Sequence, residues 1–88
     1  MLIRLITPNQ LILEESVTMV RLPGLCGELG ILPHHQDMTV LLKEGVMQIE
    51  NIDKMIKSYL IKGQFAKIYR NLCVIMVRTA SLIENKKE

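Results

Sequence analysis

The chain has 88 residues and a net charge of +2, with 49% of residues hydrophobic and 23% charged. That is one domain with one core, burying about 60–65% of its unfolded surface; it excludes a disordered tail and leaves little room for a large substrate pocket. The charge is a mild dipole, 3 basic and 5 acidic side chains in residues 1–44 against 8 and 4 in residues 45–88, and Tyr59, Phe65 and Tyr69 are the only aromatics, so the concentrated basic and stacking surface of a nucleic-acid binder is missing.

The apolar set, 13 Leu, 11 Ile and 6 Val with only 2 Ala, leans towards strands. It falls in short segments parted by turn residues every ~8–12 positions, the pattern of an all-β domain. Residues 2–6 read as a first strand, stopped by Thr7-Pro8-Asn9. A short piece follows at 11–13, then an alternating stretch at 16–22 that Pro23-Gly24 ends. Residues 28–32 lie between Gly27 and Pro33, and 38–42 run into the turn Lys43-Glu44-Gly45. Residues 46–50 and 55–61 flank Asn51-Ile52-Asp53-Lys54, a hairpin with a four-residue loop. Residues 65–69 and 72–77 flank Arg70-Asn71, a second hairpin whose turn signal is weaker than Asn-Gly. Ser81-Leu82-Ile83-Glu84 has the spacing of a capping box, but too little chain follows for an isolated helix, so residues 84–88 are expected to form a frayed polar tail.

Several strands are apolar on both faces. Leu72, Val74 and Met76 point one way, and Cys73, Ile75 and Val77 the other. A half-solvated sheet would be polar on one side, so these strands need cover from a second sheet, a barrel interior or a partner protein. Leu72-Cys73-Val74-Ile75-Met76-Val77 falls far short of the ~18 apolar residues of a membrane span. The N-terminal apolar stretch stops at Pro8, too early for a signal peptide. Two cysteines are too few for a disulfide scaffold and fit a reducing compartment, although a bridge between Cys26 and Cys73 stays open.

The densest cluster of reactive types is Cys26, Glu28, His34, His35 and Asp37. A zinc site fails on spacing: adjacent histidines point to opposite sides of an extended chain, and neither C-x-x-C nor H-E-x-x-H is present. A Cys26 nucleophile lacks a signalled activating histidine and oxyanion hole. Gly24, Gly27 and Gly30 match neither phosphate-loop spacing, and no helix follows to hold an anion. The plain reading is a tight exposed connection whose glycines serve backbone geometry and whose charged tip can dock. Glu14, Glu15, Glu44, Glu50 and Asp53 fall at turns or strand edges, with no pair placed for acid–base work. Lys54, Lys57, Lys62, Lys67 and Arg70 read as exposed positions that discourage edge pairing. No catalytic, cofactor or metal residue is expected.

Gly27-Glu28-Leu29-Gly30-Ile31-Leu32-Pro33-His34-His35 resembles the G-E-L-G-I-x-P-x-H signature of the epsilon-subunit family of bacterial rotary ATP synthases. Leu5-Ile6-Thr7-Pro8 is similar to that family's opening V-x-T-P strand, and Lys43-Glu44-Gly45-Val46 to its K-x-G turn. Tyr59-Leu60-Ile61-Lys62-Gly63-Gln64-Phe65-Ala66 resembles its S-G-G-F region, and Met76-Val77-Arg78-Thr79-Ala80 its A-D-T-A end. Two places depart: Gln36-Asp37 stands where the family has Ala-Pro, and Lys62-Gly63-Gln64 where it has Ser-Gly-Gly.

The resemblance implies a flattened ten-stranded β-sandwich over residues 1–83, followed by the polar tail 84–88. It implies a non-catalytic subunit at the foot of the central stalk, joined to the gamma subunit and touching the c-ring. Such a subunit is peripheral at the cytoplasmic face of the bacterial inner membrane, binds no nucleic acid and helps couple rotation to ATP synthesis. Carried over residue by residue, Gly27, Glu28, Leu29, Gly30 and Ile31 form the c-ring contact loop. His35 and the outward side of Met38, Val40 and Leu42 face gamma. The family's inhibition of ATP hydrolysis belongs to a C-terminal helical hairpin, so this stretch is expected to couple without latching rotation. The rival reading, a free-standing sandwich that binds a small ligand, needs a cavity lined by polar groups, and the interior candidates are nearly all Ile, Leu, Val and Met.

Overall fold

Alternation along the chain drives one side chain in two inward, and turn residues cut the strands close to the expected places. The computed structural model describes residues 1–87. Its strands are β1 (Leu2–Thr7), β2 (Gln10–Ser16), β3 (Met19–Gly24), β4 (Gly27–Ile31), β5 (Met38–Leu41), β6 (Gly45–Glu50), β7 (Met55–Tyr69) and β8 (Leu72–Lys87). No helix forms among the described residues.

The strand count is eight rather than ten because β7 and β8, of 15 and 16 residues, run on through expected breaks. Register shifts at Lys62/Gly63 and Gly63/Phe65 fold this long ladder over without cutting it. Gly63 sits at the fold because a Cβ there would collide with the Leu42 side chain. One layer then runs β2–β1–β8 (72–77)–β7 (65–69)–β5, with β1 and β8 parallel. The other runs β8 (79–87)–β7 (55–62)–β6–β3–β4. Counted by arms, this gives five segments in each layer and ten in all. Over residues 84–87 the frayed tail is replaced by the outer end of β8, paired with Met55, Ile56, Lys57 and Ser58, which offer it an open edge.

Both hairpin turns follow from backbone conformation. Arg70 and Asn71 take φ of 48° and 63°, the two positive angles of a type I′ turn. In the four-residue loop Asn51 Oδ1 accepts the N–H groups of Asp53 and Met55, at 2.9 and 3.0 Å. The N-terminus is tied down as well: the Met1 amine donates to the Val17 carbonyl, and the Val17 N–H returns to the Met1 carbonyl.

One cluster fills the space between the layers. Ile3 and Leu5 of β1, with Ile68, Cys73 and Ile75, come from the first layer; Val20, Leu22, Ile31, Met47, Ile49 and Ile61 come from the second. Each contributes about 1.5–3 kcal/mol by leaving water. Burial pushes the Cys73 thiol up to about 12. Both cysteines are free, Cys73 in the core and Cys26 at the surface. Among the described residues the one buried polar side chain, that of Ser58, accepts a hydrogen bond from Gln48 Nε2 at 3.2 Å. At the open end between the layers Lys57 of β7 pairs with Glu15 of β2, Nζ to Oε1 2.8 Å.

Candidate functional site

The residues of the Gly27–His35 signature build a hairpin and a crossover. β3 and β4 pair from Val20↔Ile31 to Gly24↔Gly27, leaving Leu25 and Cys26 as the turn. Gly27 has φ of +133°, which side-chain-bearing residues rarely adopt. The Leu25 N–H donates to the Leu41 carbonyl at 2.8 Å and ties the turn to β5. Residues 27–31 are therefore an edge strand rather than a loop, and alternation splits them. Glu28 and Gly30 are exposed, Leu29 is half-buried, and Ile31 lies in the core at 0% exposure. That corrects the reading of Ile31 as a contact residue, because the sandwich interior already holds its side chain. Glu28 meets Arg21 Nη1 at 3.4 Å, both in water, a pair that stabilises little.

From Leu32 the chain crosses to the other layer and is pinned there by the β7–β8 turn. The His34 N–H donates to Asn71 Oδ1 at 2.9 Å, and the Arg70 N–H donates to Asp37 Oδ1 at 3.2 Å. His34 has φ of 64°, which these two struts hold. His35 Nδ1 donates to the Gln36 carbonyl at 2.8 Å. Cys26 and Glu28 thus belong to one turn, and His34, His35 and Asp37 to a separate connection. Among the described residues no three such side chains are grouped to hold a metal.

β5 alternates against the expectation. Val40 and Leu42 are 9% and 7% exposed and belong to the core, Val40 opposite Ala66. Met38 is half-buried on the same side. The outward residues of β5 are Thr39 and Leu41, with Leu41 60% exposed. Val40 and Leu42 therefore do not present an outward side, a second correction with the same cause. Leu41 was missed because 38–42 is almost wholly apolar, so only pairing with β7 decides its phase. Between the β3–β4 turn and β5 opens a cleft of about 400 Å³ lined by Leu25, Cys26, Leu29, Met38, Val40 and Leu41.

What this geometry offers is surface: an exposed hairpin tip, a pinned crossover and an apolar cleft, the equipment of an interaction domain. The model of the family described as ATP synthase, Delta/Epsilon chain, beta-sandwich domain matches residues 1–83, and the chain belongs to that family. An ATP synthase epsilon chain of Campylobacter fetus subsp. fetus (strain 82-40) is 36% identical over 86 residues, 98% of this chain and 67% of that one. One from Rickettsia prowazekii (strain Madrid E) is 36% identical over 88 residues, 98% of this chain and 79% of its own. Among solved structures, a chain of the Euglena gracilis mitochondrial ATP synthase superposes with a TM-score of 0.86 at 24% identity, covering 91% of this chain and 51% of that one. A chain of the Tetrahymena thermophila mitochondrial ATP synthase central stalk and c-ring gives 0.76 at 17% identity, covering 91% and 64%. At these identities the structural likeness is one of fold.

Proposed function

We propose that this chain is a non-catalytic subunit of the ATP synthase central stalk, joining the gamma subunit to the c-ring and helping couple rotation to ATP synthesis. The observation that carries the reading is the family match over residues 1–83, with the signature residues on an exposed hairpin and a pinned crossover. The hairpin tip, with Gly27, Glu28, Leu29 and Gly30, is the part that meets the polar loops of the c-ring. His35 and the accessible part of half-buried Met38 lie on the gamma side. The subunit sits peripherally, at the cytoplasmic face of the bacterial inner membrane, held there by protein contacts. A joint that carries torque needs a large apolar contact, since exposed ion pairs stabilise little each.

The test is binding of the full chain to an alpha–beta–gamma assembly stripped of its own epsilon subunit, by calorimetry, with crosslinking from Glu28→Cys to c-ring loops in membranes. Micromolar or tighter binding and a crosslink to subunit c are expected. A folded chain that binds neither assembly refutes the reading.

A further inference from the structure

Two strand irregularities meet at one place. Between β1 and β2 the register runs Leu5↔Leu13 and then Ile6↔Leu11, so Ile12 is an extra residue. Between β7 and β8 it runs Lys62↔Thr79 and then Gly63↔Val77, so Arg78 is extra, at the point where β8 leaves the first layer for the second. A bulge of this kind turns a side chain out of the regular alternation. Both bulged residues line one pocket of about 390 Å³, together with Thr7, Asn9, Gln10, Thr79 and Ala80. The bend itself asks for a residue without a β-carbon, which Gly63 supplies, and does not ask for an arginine.

The donors in this pocket are uncommitted. Among the described residues Arg78 enters no ion pair. The side chains of Asn9, Gln10, Arg78 and Thr79 make no hydrogen bond there either. The Thr7 hydroxyl accepts the Asn9 N–H and donates to the Gln10 carbonyl, both at 3.4 Å, which sets the turn that carries the two exposed carboxamides. No carboxylate lines the pocket. Lys62, the cross-strand partner of Thr79 and on the same face of the ladder, is a second exposed cation outside the ion pairs of the described residues. A guanidinium fork beside two carboxamides and a hydroxyl matches the oxygens of an oxyanion. Two cations and this many donors suit the three oxygens and the charge of about −1.5 to −2 of a phosphomonoester better than the two oxygens of a carboxylate. Ile12 and Ala80, both half-buried, add an apolar wall. No aromatic side chain lines the pocket for a base to stack on, so a nucleoside is not the body it fits.

We propose that this double-bulge pocket binds a small phosphomonoester, its phosphate on Arg78 with Asn9, Gln10 and Thr79 donating to it, and its short aliphatic body against Ile12 and Ala80. The site shares no residue with the stalk contacts proposed above and does not depend on them.

The full chain is titrated with glycerol 3-phosphate at constant ionic strength, and amide chemical shifts are read. Shifts at Asn9, Gln10, Thr79 and Ala80 should follow one Kd of about 1 mM, the affinity that a few exposed charge-assisted hydrogen bonds supply. Arg78→Gln weakens binding about 10-fold or more, and Arg78→Lys, which keeps the charge without the fork, about 3-fold. Lys67→Gln, a free cation outside the pocket, binds as the unaltered chain does. Inorganic phosphate, which lacks the aliphatic body, binds about 3-fold more weakly. Should Arg78→Gln fail to fold, Asn9→Ala at the exposed turn is read in its place, with a loss of about 3-fold. No shift at these amides up to about 20 mM, or shifts that Arg78→Gln leaves in place, overturns the site. Tighter binding of adenosine monophosphate or of succinate overturns the ligand class. Vesicles of phosphatidylcholine with phosphatidic acid offer the same phosphate on a lipid. The chain should not sediment with them, and sedimentation that depends on Arg78 overturns the soluble ligand.

Discussion

Lys57→Met should destabilise the chain by about 1.5–2 kcal/mol, which is more than a surface lysine normally costs. Lys57 lies opposite Ile49 and Glu15 opposite Ile3, so both point to the inward side where the layers part. Their side chains are 24% and 22% exposed, and Nζ lies 2.8 Å from Oε1. At that separation the gross attraction is about 6 kcal/mol for an effective dielectric near 20. Desolvating two charges cancels most of it. Exposed pairs net about 0.2–1 kcal/mol, and stranding one partner of a fully buried pair costs about 3–5. With roughly a quarter of each side chain in water, the expected loss lies between them. It corresponds to a fall in melting temperature of roughly 6–15 °C for a domain of this size. The hydrogen bond that Lys57 donates to Glu15, then the Glu15 charge, raises the Lys57 pKa above its ordinary 10.5, against a partial lowering by burial. A raised folded-state value means stability present in full below the unfolded pKa and lost as pH climbs through the folded one. The gap between wild type and variant should therefore stay constant from about pH 7 to 9 and close above about pH 10.5. Thermal melts of wild type, Lys57→Met, Glu15→Leu and the double variant form the cycle. A fall under about 2 °C with no coupling between the two sites would refute the reasoning.

Three shorter predictions follow from the same geometry. A thiol reagent at about pH 8 should titrate one cysteine of the native chain, Cys26, and reach Cys73 only after unfolding, because burial raises that thiol to about 12; fast reaction of both would mean the core opens. Gly63→Ala drives a methyl group into Leu42 at the fold of β7 and should cost about 1–3 kcal/mol in a denaturant melt, and an unchanged midpoint would show that the bend relaxes freely. Asn71→Ala removes the acceptor of the His34 N–H and replaces a residue that tolerates φ 63° with one that tolerates it less, a loss of about 1–2 kcal/mol, with faster amide exchange at His34; Asn71→Gly should recover the backbone part only.

Strand alternation and turn chemistry made most of the fold legible. The strands expected at 2–6 and 46–50, and the hairpins at Asn51–Lys54 and Arg70-Asn71, follow from short apolar runs bounded by residues that favour turns, each strand running one residue further in the structure. The continuity of β7 and β8 was illegible because Lys62-Gly63-Gln64 and Arg78-Thr79, at their middles, look like breaks in isolation. They continue as strand because each has the other to pair with. The same holds for Asn85, Lys86 and Lys87, whose polar side chains say nothing of the backbone partners waiting on β7. At the candidate site the signature residues were visible but their orientation was not. In a run as apolar as Met38-Thr39-Val40-Leu41-Leu42, hydrophobicity carries no phase, and pairing of Val40 with Ala66 sets it.

The parallel pairing of β1 with the first arm of β8 joins segments far apart in sequence, Leu2 opposite Leu72 and Ile6 opposite Met76. During synthesis β1 is made long before its inner neighbour, the first arm of β8. The β1–β2 hairpin must wait with Ile3 and Leu5 uncovered while the β3–β4 and β6–β7 hairpins assemble. Closing so long a loop carries an entropic cost that local hairpins avoid, so docking of this hairpin is the natural slow step of folding. Until then Leu11, Leu13 and Ile12 lie on an unpaired ribbon, and the acidic Glu14-Glu15 that follows them guards the waiting edge against pairing with another nascent copy.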